Sequence, residues 1–375
     1  MEHSRGDIFA TRAREAAEKR ERVRRYLEAR KLTAVVLTQQ RNFAWYTCGG
    51  DNHVVTASEA GFASLVITRD RQCVVTSNIE AQRIRDEEVG SGFEVLDYPW
   101  HEPGKRDELL RQVIGAGRAA SDDGSAGLPL LEPDFTELRY VLTPEEVARY
   151  RWLGRTASEV VTIVGREIEP GMTESEVSGR LCGELEKRRI TPTVVLIAAD
   201  DRIARYRHPI VTDRRIEKIV MVVLCARRWG LVCSLTRLIH FGPVPAALAE
   251  RHAAAVAVDA AFILGTRPGR PVGEIFAEAT AVYAARGFAD EWKLHHQGGA
   301  AGYGEREYVV TPGDTRRVYA HQAFAWNPSI TGTKSEDTII ASEDGPEVIS
   351  TPFEWPTLEV TYGGGKVRRA AILER

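Results

Sequence analysis

The feature that most constrains the fold is a long helical pattern, broken by Pro-Gly, that occurs twice. The first copy ends at Glu169-Pro170-Gly171 and the second at Arg267-Pro268-Gly269, roughly 100 residues later. In each copy a Glu and a β-branched residue follow five and six residues after the Gly, as Glu176-Val177 and Glu274-Ile275. Pro-Gly breaks between helices are common, but the equal offset favours an internal duplication. We therefore predict a duplicated α/β (α+β) domain over residues 143–375.

A smaller α/β domain is predicted before it, because strand-like and helix-like segments alternate from residue 12 to about residue 120. The stretch 121–133 is rich in Asp, Gly, Ser and Pro, which is typical of a linker. Thr143-Pro144-Glu145-Glu146 then has the N-cap, first-turn Pro and third-position Glu of a helix start. The predicted domains are 1–121 and 143–375, joined by a linker at 122–142.

Charge and composition exclude several classes of partner. The 375-residue chain has a formal net charge of -3 and no long run of one sign, which argues against nucleic acid or an anionic membrane as the main partner. No apolar run is long enough to span a membrane. The five cysteines are irregularly spaced and the first residues do not look like a signal peptide. Reduced thiols in the cytoplasm are expected.

Several motifs, in this order, resemble a known superfamily. They are Asn42-Phe43-Ala44-Trp45-Tyr46, Thr143-Pro144-Glu145-Glu146, and Glu169-Pro170-Gly171-Met172-Thr173-Glu174 with Glu176-Val177. Over nearly its whole length the chain is similar to the pita-bread superfamily of prolidase, aminopeptidase P and creatinase. The resemblance implies a creatinase-like N-terminal domain and a duplicated pita-bread domain.

The superfamily's peptidases bind two divalent metal ions through two Asp, one His and two Glu, and the ions activate a water. The first Asp belongs to the stretch Val222–Arg227, which has no carboxylate here. The resemblance places Ser234, Gly299 and Asn327 at the next three ligand positions, and only Glu336 is retained. One carboxylate with Ser and Asn neighbours cannot hold two divalent ions against water. The resemblance therefore predicts no metal site and no cofactor.

Creatinase and the ectoine hydrolases are branches of this fold that work without metal, and both cleave a C–N bond. His208, in the Arg-rich run 205–215, matches the catalytic His of creatinase. Its imidazole titrates near neutrality and can carry a proton to a leaving amine. Pro209 favours an extended backbone at His208. His208 and Glu336 are therefore the predicted catalytic residues.

The resemblance also implies substrate contacts. Arg306 matches an Arg that binds the substrate carboxylate in creatinase, and a planar guanidinium suits that task. Creatinase carries Glu where this chain has Thr236 and Asn327, which argues against creatinase activity itself. The run Gly298–Gly302 either widens the pocket or forms a tight turn. The predicted substrate-binding residues are His295, His296, Arg306, Asn327, Ser234, Thr236, Trp229, Trp326, Tyr303 and Lys334.

Three functions remain open at this point. The first is a metal-independent hydrolase or lyase that cleaves a C–N bond of a small polar amino-acid-like, guanidino or amidine compound. The second is an atypical Xaa-Pro metallopeptidase, and the third is a non-catalytic binding protein. The retained His208, His295 and Glu336 favour the first. We also expect a homodimer in which the loop Asn42–His53 closes the pocket of the other subunit.

Overall fold

The computed structural model describes residues 12–375, which form two compact units. The first unit contains the described residues up to Arg139 together with the turn Trp229–Leu231. The second contains Tyr140–Arg228 and Val232–Arg375. Within residues 12–375 there is no helix long and apolar enough to cross a membrane.

The first unit is built on a five-stranded sheet with the strand order β4-β3-β2-β1-β5. Its apolar core contains Val36, Val66 and Val75 from the sheet and Leu110 from a covering helix. The strands are β1 Ala34–Gln39, β2 Ala60–Thr68, β3 Gln72–Ser77, β4 Glu94–Tyr98 and β5 Ala119–Ser121. The helices are α1 Ala13–Arg30, α2 Gln40–Tyr46, α3 Ala81–Arg83, continued by a π-helical turn Ile84–Glu88, and α4 Gly104–Ile114.

The stretch predicted to be a linker is instead bonded to the first unit. The Asp122 carboxylate accepts hydrogen bonds from the backbone N–H groups of Thr38 and Gln39 at 2.8 and 3.0 Å, and from the Asn42 amide at 2.8 Å. Leu130 forms an isolated bridge with Ser121. Two short 3-10 helices, Ser125–Gly127 and Pro133–Arg139, complete the segment. The compact units therefore divide after Arg139 rather than at residue 121.

The second unit contains two helix pairs, in agreement with the repeated sequence pattern. The first pair is α5 Pro144–Glu167 and α6 Glu174–Glu186, and each helix begins with a capping box, at Thr143 and at Thr173. The second pair is α8 Ala246–Gly265 and α9 Val272–Ala285, which follow Pro245 and Pro271 without a side-chain cap. A short helix, α7 Asp201–Arg205, lies between the pairs in the chain.

Each helix pair is followed by strands of its own sheet. The first sheet has the order β18-β8-β7-β6 and the second the order β10-β9-β11-β14-β15. The first contains β6 Thr191–Ala199, β7 Ile219–Arg228, β8 Leu231–His240 and β18 Leu373–Glu374. The second contains β9 Gly298–Ala301, β10 Tyr308–Val309, β11 Ala323–Trp326, β14 Asp337–Ile340 and β15 Glu347–Val348. Two short pairs, β12 Ser329–Ile330 with β13 Thr333–Lys334 and β16 Thr357–Tyr362 with β17 Gly365–Ala370, complete the unit.

The two sheets meet at an isolated bridge between Thr236 and Glu336. Side chains alternate between the two faces of a strand, so residues that are adjacent in sequence here point to opposite sides of the sheet. On β11, Trp326 stacks with Phe324 and with Phe262 of α8 in the core, which directs Asn327 to the opposite face. Asn327 therefore belongs to the side of the sheet that faces β8.

The first residues of the run Gly298–Gly302 form a strand, so they neither make a tight turn nor widen a pocket. Gly298 and Gly299 belong to strand β9, where neighbouring backbones pack against them. A Cβ atom on Gly298 would lie 2.1 Å from the carbonyl oxygen of Ala325, and one on Gly299 would lie 2.2 Å from that of Tyr308. Both distances are far below van der Waals contact, so these two glycines are required by the close approach of β10 and β11.

Candidate active site

The loop that carries His208 is fixed from both sides by buried or partly buried ion pairs. Glu174, fully buried at the start of α6, accepts hydrogen bonds from Arg202 Nε at 2.9 Å and Thr212 Oγ1 at 2.7 Å. Arg207 Nη2 donates to Glu291 at 2.6 Å and to Thr331 Oγ1 at 3.0 Å. These contacts hold the loop on either side of His208 against two other segments of the unit.

Three histidines, His208, His295 and His296, come together at this place. The Nε2 atoms of His208 and His295 are 3.1 Å apart, and the rings of His295 and His296 stack at 4.4 Å. His208 and His296 are exposed, whereas His295 is partly buried. The Nδ1 atom of His295 is buried and has no hydrogen-bond partner in the described part of the chain. The sequence left open which of His295 and His296 faces the pocket, and the structure brings both to His208.

Next to the histidines, Glu336 is held by two cations. Its carboxylate is 2.7 Å from Lys334 Nζ and 3.2 Å from Arg306 Nη2, and it accepts a 2.7 Å hydrogen bond from Thr236 Oγ1. Glu336 and Lys334 are almost completely buried. Arg306 Nη1 also contacts Ser234 Oγ at 3.4 Å. The cluster contains one negative and two positive side chains.

Burial and these charges together set the pKa values of Glu336 and of the three histidines. Burial alone would raise the pKa of Glu336, but Lys334 and Arg306 outweigh it and lower the pKa to about 2. Burial, then Lys334, lowers the pKa of His295 to about 3, and burial, then Arg306, lowers that of His296 to about 4. The pKa of His208 is also lowered, by burial and by Lys334. All three imidazoles are therefore neutral at pH 7 beside an ionised carboxylate.

The residues at the five implied ligand positions do not fit a pair of divalent ions. Cys225 lies in the stretch of the first Asp, and its thiol contacts Ser234 Oγ at 3.2 Å, with a pKa that burial raises to about 11. Gly299 has no room for a side chain, because its Cβ would strike the Tyr308 carbonyl. Glu336 is already neutralised by protein cations. The set offers one ionised oxygen ligand where the family uses four carboxylates and an imidazole.

Three predicted substrate contacts lie elsewhere. Trp326 is fully buried, stacks on Phe262 and donates its indole N–H to Thr266 Oγ1 at 2.9 Å, so it is a core residue. Tyr303 is 2% exposed and donates its hydroxyl to Glu146 at 2.6 Å. Trp229 has a positive φ of 54° in the turn Trp229–Leu231 of the first unit, where it packs against Gly49. The stacking and hydrogen bonds of the first two are contacts within the fold, and they favour a structural role for Trp326 and Tyr303.

The sequence did not identify the Arg207–Glu291 pair or Glu174 as parts of the site. Arg207 has a weak signal, because it precedes His208 in the chain. Glu291 and Glu174 have none, since their partners are distant in sequence and the contacts arise only in the folded chain. Of the other predicted residues, Ser234, Thr236, Arg306 and Lys334 are connected to Glu336 by hydrogen bonds or ion pairs, Ser234 through Arg306. Asn327 directly follows β11.

Comparison with known proteins identifies the family. The profile of metallopeptidase family M24 matches residues 148–346, more than half of the chain. The chain belongs to metallopeptidase family M24. Among solved structures, the Xaa-Pro dipeptidase from Bacillus anthracis matches with a TM-score of 0.76 at 18% identity, covering 96% of this chain and 100% of that one. The prolidase from Pyrococcus horikoshii OT3 also has a TM-score of 0.76, at 18% identity, covering 89% and 98%. These matches confirm the predicted pita-bread fold.

The M24 fold also occurs outside the dipeptidases. The N-terminal domain of the FACT complex subunit SPT16 from chickpea matches with a TM-score of 0.68 at 12% identity, covering 90% and 97%. Among curated proteins, "Agropine synthesis cyclase" of Rhizobium rhizogenes is 29% identical over 66% of this chain, and an uncharacterised peptidase of Staphylococcus aureus is 24% identical over 57%. The matches span 66% and 63% of those two proteins, slightly under two thirds.

Proposed function

We propose that this M24 protein cleaves a C–N bond of a small polar, anionic compound by hydrolysis or elimination, without the family's two-ion centre. The observation that carries the proposal is the pairing of Glu336 with Lys334 and Arg306. Protein cations there neutralise the one carboxylate that the family uses for metal. The cluster retains an excess of one positive charge, which suits a substrate carboxylate or a developing oxyanion.

Proton transfer falls to His208 rather than to Glu336. A carboxylate with a pKa of about 2 is a weak base at pH 7, and it has to release two cations to accept a proton. His208 is neutral and accessible to solvent. Its Nε2 atom lies 3.1 Å from His295 Nε2, so a proton taken by one ring can pass to the other. In this proposal His208 takes a proton from the attacking water and returns it to the leaving nitrogen.

Two buried polar atoms support binding of a polar substrate next to the histidines. Arg306 Nε and Asn327 Oδ1 are buried and have no hydrogen-bond partner among residues 12–375. Buried polar groups are almost always hydrogen-bonded, so a donor and an acceptor without partners suit a ligand that offers both. A shallow cleft lined in part by His295, Lys334 and Tyr206 opens at the histidines.

Ring closure is a second candidate reaction. It is favoured by the 29% identity to a curated cyclase over 66% of the chain. The same base, His208, would then deprotonate a nucleophile within the substrate in place of water, and Arg306 would stabilise the same oxyanion. The two reactions differ in their products, because hydrolysis adds one water to the substrate and ring closure releases a leaving group without adding water.

The test is turnover of a panel of guanidino, amidine and dipeptide compounds, monitored by mass spectrometry. Loss of a positioned acid–base group costs roughly 100- to 10,000-fold in rate, so His208→Asn should reduce turnover by that factor with an unchanged circular dichroism spectrum. His101→Asn, at an exposed histidine of the first unit, is the control. Full activity in His208→Asn would refute the role of His208. Binding without turnover across the panel would favour the non-catalytic alternative.

We also propose that the protein is a homodimer, on the resemblance alone. Part of the segment expected to reach the other subunit is unsuited to that role, because Asn42–Tyr46 belongs to α2 and is buried in the first unit. Directly after this segment lie Val54 and Val55, which are 53% and 49% exposed. Sedimentation at micromolar concentration should show a dimer, and the double substitution Val54→Glu, Val55→Glu should weaken it. A monomeric wild-type protein would contradict this proposal.

A further inference from the structure

We infer that His208, His295 and His296 form a binding site for one transition-metal ion of the zinc type. Each histidine offers a ring nitrogen, and the three nitrogens lie within 4.8 Å of one another. Within residues 12–375 no second group of three histidine, cysteine or carboxylate side chains converges in this way. This site shares no ligand with the two-ion centre of the family, because none of the three histidines occupies one of the family's five metal-ligand positions.

The geometry is close to that of a three-histidine zinc site. Zinc–nitrogen bonds of about 2.0–2.1 Å in tetrahedral coordination place ligand nitrogens about 3.3 Å apart. The Nε2 atoms of His208 and His295 are already 3.1 Å apart. The third nitrogen needs to move by no more than about 1.5 Å, since no pair exceeds 4.8 Å. The exposed side chain of His296 can make this movement, giving up only a weak 3.3 Å hydrogen bond from the Gly298 N–H.

The donor set determines which ions bind. Imidazole suits Zn²⁺, Cu²⁺, Ni²⁺ and Co²⁺, with affinities that rise from Co²⁺ to Cu²⁺, whereas Mg²⁺ and Ca²⁺ prefer oxygen ligands. Because His208 and His296 are exposed, an ion can reach the site from solvent and retain at least one position for water. Lys334 and Arg306 oppose a cation there, and Glu336 offsets one of these charges.

Occupation of the site would control the activity, an inference that rests on the proposed function. A nitrogen lone pair bound to metal cannot accept a proton, so an ion on His208 removes the proposed base. The protein would then be active without metal and reversibly inhibited by Zn²⁺. Chelation would restore activity, the opposite of its effect on an enzyme that needs its metal.

The experiment is titration of the full-length protein, free of any histidine tag, with Co²⁺ and Zn²⁺. We expect one ion per chain, a visible absorption spectrum typical of tetrahedral Co²⁺, and no binding of Mg²⁺. Removal of supporting residues around metal sites already costs 10- to 100-fold in affinity, so loss of a ligand in His295→Ala should cost at least about 100-fold. His101→Ala should bind like wild type. His296→Ala, at an exposed position, provides a second ligand variant if His295→Ala does not fold.

The outcomes separate the two proposals. Absence of a tetrahedral Co²⁺ spectrum, or equal affinity in wild type, His295→Ala and His296→Ala, would overturn the metal site and leave the proposed reaction intact. Stoichiometric binding that is lost in the ligand variants supports the site whatever the activity. Binding of Zn²⁺ without inhibition of a measured turnover would contradict the role of His208 as the base and leave the metal site standing.

Discussion

Two neighbouring residues, Glu336 and Asp337, belong to charge clusters on opposite faces of the same sheet. Asp337 and Asp259 are fully buried with Arg237 and Arg369, and their ion pairs have distances of 2.5–2.9 Å. Glu336 faces Lys334 and Arg306. The core cluster thus contains two carboxylates and two cations, whereas the site cluster contains one carboxylate and two cations.

The difference in charge explains the different roles of the two clusters. A fully buried cluster has to be balanced, because an unpaired charge away from water costs several kcal/mol. The site cluster lies beside the exposed His208 and His296, so solvent or a ligand can compensate its extra positive charge. The balance of the Asp337 cluster is that of a structural ion-pair network, whereas the extra positive charge of the Glu336 cluster supports the proposal that it binds an anionic substrate.

The largest expected effect comes from unbalancing the core cluster. Arg369→Met would leave Asp259 and Asp337 with Arg237 as their remaining cation, and breaking a buried pair typically costs about 3–5 kcal/mol. Urea unfolding should show this loss in the free energy of unfolding. The control is Arg368→Met, an exposed neighbour on the same strand, which should unfold like wild type. Similar unfolding midpoints for the two variants would show that the core cluster does not stabilise the fold.

A smaller and different effect is expected from balancing the site cluster. Lys334→Met leaves Glu336 paired with Arg306 and bonded to Thr236, so most of the stability should remain. Hydrogen bonds to charged groups contribute about 1.5–3 kcal/mol, which corresponds to a rise in KM of about 10- to 100-fold for an anionic substrate. Lys366→Met removes an exposed lysine that bonds Glu359 at 2.8 Å and should change neither property.

If Lys334→Met lowers the free energy of unfolding as much as Arg369→Met does, the two clusters do not differ in role. A large loss of stability with an unchanged KM would mean that Lys334 is a structural residue and that the positive charge serves no substrate. A rise in KM accompanied by little loss of stability supports anion binding at this cluster.

The fold could be predicted from local sequence motifs, and the structure contains the elements that these motifs predict. The capping boxes at Thr143 and Thr173 start helices where predicted, and the two helix pairs recur as the sequence indicated. The linker prediction differed from the structure because composition does not reveal that Asp122 accepts hydrogen bonds from β1. A Gly- and Asp-rich stretch can equally be a bonded surface segment.

The site was predictable only in part, because its contacts join distant parts of the chain. His208 and His295 are 87 residues apart, and the family resemblance rather than any local pattern indicated both. Trp326 was assigned to the substrate from its position beside Asn327, but strand alternation directs these two side chains to opposite faces. The residues that contact Glu336 were each predicted as site residues, but their contacts with Glu336 could be recognised only in the folded structure.

The smallest expected effect concerns His252 of α8, which joins segments next to both clusters. Its imidazole is buried and bonds Thr333 Oγ1 at 2.7 Å, beside Lys334, and the Ala370 carbonyl at 3.0 Å, beside Arg369. Burial lowers the pKa of His252, with a further contribution from Arg369, although the bond to Ala370 acts in the opposite direction. The neutral ring, with Nε2–H as donor and Nδ1 as acceptor, satisfies both partners.

A lowered pKa in the folded state fixes the direction of the pH dependence. The unfolded chain binds the proton first as the pH falls, near the ordinary histidine pKa of about 6.5, so the stabilising contribution is complete above that value and is lost below it. Urea midpoints measured at about pH 8 and about pH 5.5 should therefore fall more in wild type than in His252→Gln, which has no group that titrates there. Other titrating groups contribute equally to both proteins and cancel in the difference. An equal fall in both would mean that folding leaves the pKa of His252 unchanged, and that the core between the two clusters accommodates the protonated ring at about pH 5.5.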